Sequence, residues 1–207
     1  MKNFISLMVF VVILCVSCTK KEIKISRANH SVVTELTDVS PAYLTRLSDS
    51  SLQFNKNNLI GNTHWIITAQ RDLLMKDVAP YLKELADKKF NKEGMHPDTK
   101  QLFFVYSDTL HRQNAFVEMP FKEILLSELT SIDSVDRSIY LKDIQLFNEF
   151  KNEFIKTSLI KNDLQYLDLG LSEDMDVETF VNLLIELDTY DLPDETEYRL
   201  WVYKVAQ

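Results

Sequence analysis

Glycine and cysteine are the scarce residues of this chain. Its 207 residues hold three glycines and two cysteines, and both cysteines lie within the first eighteen positions. Three glycines cannot supply a phosphate-cradling loop or a dinucleotide fingerprint, each of which needs several within a few residues. No thiol follows Cys18. That excludes intrachain disulfides, cysteine-ligated zinc and a cysteine nucleophile from the rest of the chain. Proline is also sparse, at five residues, so low-complexity and collagen-like architectures are excluded and helices joined by few sharp turns are favoured. The histidines, His30, His64, His96 and His111, include no i, i+4 pair and no His-Glu-x-x-His run. No metal or cofactor is therefore expected.

A basic footprint is missing as well. The formal charge is −8, and residues 123–207 carry 19 acidic and 7 basic side chains. Phosphate backbones select for the opposite sign, so nucleic acid is excluded as a partner. The acidic half serves solubility first, and its sign fits a basic protein partner better than an acidic one. Apolar residues make up 45% and charged residues 26% of the chain, which is enough for a packed core of ordinary size.

The longest apolar run stands at the start. Lys2 precedes Phe4 to Val16, broken only by Ser6, and Lys20 and Lys21 end it. Thirteen residues at about 1.5 Å each reach roughly 20 Å, short of the roughly 30 Å of a bilayer core. The layout is that of a cleaved export signal. Its end, Cys15-Val16-Ser17-Cys18, resembles the lipobox of bacterial lipoproteins. Val16 and Ser17 fit their positions, and Cys15 stands where the family prefers leucine. The resemblance implies a diacylglycerol on Cys18, cleavage before it, further acylation such as palmitate, and a place in the bacterial cell envelope. Thr19, rather than aspartate, implies sorting to the outer membrane. The expected organisation is a signal peptide over 1–17, lipidated Cys18 with a tether over 18–30, and one globular domain over 31–207. The tether's basic residues also offer weak contact with anionic headgroups.

In that domain Ser40-Pro41 predicts a helix to about Leu52, because Ser suits the N-cap and Pro the first helical position. Residues 53–62 read as loop, and 64–68 as a β-branched and aromatic strand. Asp77 and Pro80 open a helix to about 90, with Tyr81, Leu82, Leu85 and Phe90 as its stripe. Residues 101–107 and 115–119 predict a hairpin. Pro120 predicts a helix of about ten residues. Ser134 is expected to cap a long helix with Tyr140, Ile144, Phe147, Phe150 and Phe154 on one side. Residues 172–187 predict a helix that buries Phe180, Val181, Leu184 and Leu187, and 197–206 a last strand. No repeat of fixed period is visible. The expected fold class is α+β, helix-rich, with a small mainly antiparallel sheet.

Catalytic signals are few. The acids Asp168, Glu173, Asp174, Asp176 and Glu178 fail the calcium-loop spacing in either register and suit the positive end of a helix instead. The densest polar group on a loop is Asp108 to Asn114, with Asp108, His111 and Arg112 as candidate catalytic residues. Three readings follow. The first is a membrane-anchored, non-enzymatic binding or envelope-associated domain. The second is an immunity-type lipoprotein that neutralises a basic toxin. The third is a hydrolase using the 108–114 loop.

Overall fold

The computed structural model describes residues 22–47, 50–90, 101–128, 138–141, 166–189 and 197–204. Ten strands and two helices lie among them. The strands are β1 (Arg27–Ala28), β2 (Val39–Arg46), β3 (Leu52–Asn55), β4 (His64–Ala69), β5 (Leu102–Asp108), β6 (Gln113–Glu118), β7 (Phe121–Glu128), β8 (Ser138–Leu141), β9 (Tyr166–Ser172) and β10 (Glu197–Lys204). The helices are α1 (Met75–Phe90) and α2 (Val177–Asp188). The first sheet runs β3-β2-β4-β5, with β1 and β6 also paired to β5; the second runs β7-β10-β9-β8. Pairs β2–β4, β4–β5, β7–β10, β10–β9 and β8–β9 are all parallel.

The fold is therefore dominated by strands and mixed in direction, and the helix-rich, mainly antiparallel expectation is corrected. Three segments account for the difference. Residues 40–46 form β2, where Ser40, Ala42 and Leu44 point inward at every second position. Ser40 does not cap a helix: its Oγ accepts from Ile60 N at 3.1 Å and pairs with Thr63 Oγ1 at 2.6 Å. Pro41 is tolerated because β3 pairs only with Tyr43 to Arg46, leaving no ladder on that side of Pro41 to lose. Residues 53–55, expected as loop, belong to β3. The run after Pro120 is β7, paired with β10 along its length; a short apolar run has no period strong enough to resist such pairing. Tyr140 lies in β8, and the other four residues of its expected helical stripe lie outside the described residues. The strands at 64–68 and 197–204, the hairpin at 101–119 and the helix to residue 90 stand as expected; the helix expected over 172–187 begins only at Val177, because Ser172 ends β9 and 173–176 form the turn between them.

The two sheets repeat one plan. Each contains a β-α-β crossover, β4–α1–β5 and β9–α2–β10, as a parallel pair requires. Each places the crossover beside a third parallel strand, β2 or β8. A shift of 102 positions carries the start of β4 onto β9 and of α1 onto α2. It also carries buried Leu73, Met75, Val78, Ala79, Leu82 and Leu85 onto buried Met175, Val177, Phe180, Val181, Leu184 and Leu187. Leu82-Lys83-Glu84-Leu85 and Leu184-Ile185-Glu186-Leu187 keep three of four identities. The absence of a visible repeat is thus corrected at the level of structure: burial recurs where identity mostly does not.

The two units meet where their helices begin. A helix leaves its first N–H groups without internal partners. Here each helix borrows carbonyls from the other unit's turn. Met75 N donates to Met175 O at 2.8 Å, and Val177 N to Leu73 O at 2.9 Å. Lys76 N donates to Glu173 O at 2.8 Å, and Glu178 N to Arg71 O at 3.0 Å. Every bond has its counterpart 102 positions away. Leu74 and Asp176, themselves 102 apart, form the bridge at the centre. This is local two-fold symmetry within one chain.

Both helices then lie in a single core. α1 runs beside β7 and β10 of the second sheet, and α2 beside β6 and β1 of the first. Phe180 on α2 meets Phe104 on β5 edge-on, at 5.7 Å between centroids, and Phe121 on β7 in a stack at 6.4 Å. One side chain thus joins both sheets. Burying a side chain of this kind contributes about 1.5–3 kcal/mol.

Candidate functional site

The loop singled out by its polar density closes the β5–β6 hairpin, and Asp108 is its hub. Asp108 ends β5 and is fully buried. Its Oδ1 accepts from Leu110 N at 2.9 Å and His111 N at 3.1 Å, the Asx-type turn that starts many loops. Its Oδ2 accepts from Ser31 Oγ and lies 2.6 Å from His111 Nδ1. The Ser31 hydroxyl, followed by the His111 ring and the two backbone N–H groups, holds the Asp108 carboxyl well below the usual carboxylate range, against burial, which works the other way. Arg112 is exposed, with φ at 56°, the left-handed conformation that brings the chain round into β6. Asn114 pairs with Ser107 in the hairpin ladder.

Around this hub the segment 24–33 is fastened to the domain. Alternation along β5 fixes the side it takes. Gln101 O bonds Trp65 N on β4, and Ser107 N and Thr109 N, an even number of residues on, donate to Ser26 O and Ala28 O, each at 2.8 Å. β1 therefore enters on the β4 side, beyond the last β4–β5 pair at Phe104. On its other flank Arg71 N donates to Lys24 O at 2.9 Å, and Asn182 Nδ2 to Arg27 O at 3.2 Å. Buried Tyr106 donates to His30 O at 3.0 Å and accepts from Val32 N at 2.9 Å. Val33 and Phe116 exchange both backbone bonds, at 3.1 and 2.8 Å. Gln113 Nε2 donates to Ser31 Oγ at 3.3 Å.

The chemistry available at Asp108 follows from the order of the groups. A nucleophilic hydroxyl is activated by an imidazole that a carboxylate orients, so the imidazole sits in the middle. Here the carboxylate sits in the middle, between the Ser31 hydroxyl and the His111 ring. His111 cannot take the Ser31 proton in this arrangement, and the carboxylate's lone pairs are spent on four donors. The cluster acts as a clamp on segment 24–33. Ser31 and Tyr106, which complete it, carried no signal in the sequence, because each lies far along the chain from the loop or inside a strand.

The other candidates are dispersed. His64 Nδ1 accepts from Gln101 N at 3.1 Å, and the ring packs edge-on to Phe103. His96 and Cys18 lie outside the described residues. Of the acids, Asp176 caps α2 by accepting from Thr179 N at 2.7 Å. Asp174 pairs with Lys76 at 2.9 Å, and Glu178 with Arg27 at 3.1 Å and Arg71 at 3.7 Å. The expected role at a helix start holds for Asp176 at the N-cap and for Glu178 in the first turn; Asp174 and Glu178 also tie the two units together, and Asp168 lies in β9. Elsewhere, burial first and then the charge of Asp188 push the Glu118 carboxyl up. Among the described residues no three His, Cys, Asp or Glu side chains are grouped to hold a metal ion, and no helix is long and apolar enough to cross a membrane.

The fold and its clamp define a class: an internally duplicated, two-sheet α/β domain with its N-terminal segment bonded into the first sheet. The chain matches no protein-family model, no curated protein and no solved structure.

Proposed function

We propose that this protein is a lipid-anchored component of the bacterial envelope whose domain binds a partner and does no chemistry of its own. The observation that carries the reading is Val16-Ser17-Cys18 at the end of a thirteen-residue apolar run. Diacylglycerol on Cys18 and at least one further acyl chain give stable membrane attachment where a single chain does not. Thr19 supports an outer-membrane destination. The non-catalytic part of the reading draws support from the clamp at Asp108, whose polar groups satisfy one another. The acidic surplus of residues 123–207 supports a basic protein as the partner.

The test replaces Cys18. Cys18→Ala is expected to abolish incorporation of labelled fatty acid and to move the protein from the membrane pellet to the soluble fraction. Unchanged labelling and sedimentation would overturn the anchor. A hydrolytic activity abolished by Asp108→Asn in a protein that stays folded would overturn the binding role.

A further inference from the structure

The clamp on segment 24–33 determines how far the domain can stand from its anchor. Among the described residues, Lys24 is the first whose backbone is bonded to the rest of the domain, through Arg71 N. Ser26, two residues on, is buried, and its Oγ reaches the Val177 carbonyl. Only residues 18–23 separate the acylated cysteine from this point. Six residues, fully extended, span at most about 20 Å.

The attachment point is also specific. Arg71 belongs to the turn between β4 and α1, and that turn exchanges its carbonyls with the turn before α2. The leash therefore meets the domain at the symmetric junction where both helices begin. Resting on the lipid anchor proposed above, we infer that this junction, with Asp72, Lys76, Glu173 and Asp174 on its surface, faces the lipid headgroups, and that the far ends of the helices point away from them.

Charge does not provide the attraction. On the domain the cations at this end are Lys24, Arg27, Arg71 and Lys76; Lys20 and Lys21 belong to the leash itself, where attraction to anionic headgroups draws in the leash and selects no face of the domain. Arg27 and Arg71 pair with Glu178, and Lys76 with Asp174. Glu22, Asp72 and Glu173 add negative charge to the same end. A surface so balanced gains little from anionic lipid, which rewards runs of unpaired Lys and Arg. The leash alone holds the junction down, so the orientation is insensitive to salt and to lipid charge.

The mature chain carries no thiol besides acylated Cys18, so one introduced cysteine can be labelled uniquely. Asp72→Cys marks the junction. Lys88→Cys, exposed near the end of α1, marks a point about 20 Å further along the helix at 1.5 Å per residue. Each acylated, full-length variant carries a donor dye and is placed on phosphatidylcholine vesicles bearing acceptor-labelled headgroups. The expected result is a shorter donor-to-surface distance at 72 than at 88, unchanged by added phosphatidylglycerol or by salt. Equal distances, or the reverse order, would overturn the orientation. A distance that grows with salt would overturn the leash as its cause. A flexible ten-residue insertion after Ile23 is expected to erase the difference between the two sites; persistence of the difference would also overturn the leash. Vesicle binding that survives Cys18→Ala would instead count against the anchor, a failure distinguishable from that of the orientation.

Discussion

The two β-α-β units have the same plan and solve the start of their helices differently. In the second unit Asp176 stands at the N-cap, and its carboxylate takes the third free N–H of α2, from Thr179. In the first unit the same place holds Leu74, which has no side-chain acceptor. There Asp77 N turns back to the Leu74 carbonyl at 2.9 Å. Both helices nevertheless begin soundly, because the other unit's turn receives the first two N–H groups of each. Reciprocal backbone bonding reduces what a capping side chain must supply. The edges differ as well. The second sheet ends in β7, parallel to β10 along seven paired positions. The first ends in the β6 hairpin and admits β1 over two residues. Its N-terminal segment is therefore held by scattered backbone bonds together with the side chains of Asp108 and Tyr106.

The comparison breaks most completely at Phe180, which touches aromatic rings in both sheets. Phe180→Ala is expected to cost about 3–5 kcal/mol, the usual range for truncating a buried aromatic. The loss should fall on both units together. Trp65 lies in β4 and Trp201 in β10, so Trp65→Phe and Trp201→Phe each leave one fluorescent reporter per sheet. Coincident denaturation curves in the two reporters, both shifted by Phe180→Ala, are expected for a shared core. Separated curves would show two independent units.

Next in size is the clamp, which is peculiar to the first unit. Asp108 titrates below its unfolded value, near 3.9, because its donors favour the charged form. A group with a lowered folded pKa stabilises the native state above its unfolded pKa and loses that contribution as pH falls through the folded value. The difference in melting temperature between the wild type and Asp108→Asn should thus be widest above about pH 5 and shrink steadily in more acid solution. A difference that is constant with pH would remove the carboxylate from the account. Limited proteolysis of Asp108→Asn at neutral pH should cut first within residues 24–33.

How much of this was legible depended on the range of the interactions. Phe180, Val181, Leu184 and Leu187 announce α2 because a helix writes its own period. The hairpin at β5 and β6 announces itself because its partners are neighbours. By contrast β2 carries Pro41 and β7 follows Pro120, both helix-start signals, and only pairing with β4 and β10, distant in sequence, makes them strands. Local propensity is weak beside such burial. The duplication was hidden for a related reason. At matched positions Met75 corresponds to Val177 and Val78 to Phe180, equivalent in burial and different in shape. For the site, Asp108 and His111 were visible as a polar loop, but their meaning depends on Ser31, 77 residues away. Among the acids around α2, Asp176 and Glu178 take the helix-start places their sequence implies, whereas the bond from Lys76 N to the Glu173 carbonyl needs the other unit.

The smallest effects test the helix starts directly. Asp176→Ala removes the side-chain cap of α2 and is expected to cost about 1 kcal/mol, within the range for N-cap truncation. Leu74→Asn is the converse. It places an acceptor at the matching position of α1, aimed by symmetry at the Asp77 N–H. Asparagine adds no charge beside Asp176, and aspartate would set two carboxylates across the central bridge. Leu74 is only partly buried, so the lost apolar contact offsets part of the gain. The net expectation is stabilisation of under about 1 kcal/mol, read from denaturant midpoints at unchanged slope. If Leu74→Asn also reduces the cost of Asp176→Ala, the two helix starts are coupled through the shared bridge. Additive effects would mean that each helix is capped independently, and that the symmetry is one of backbone alone.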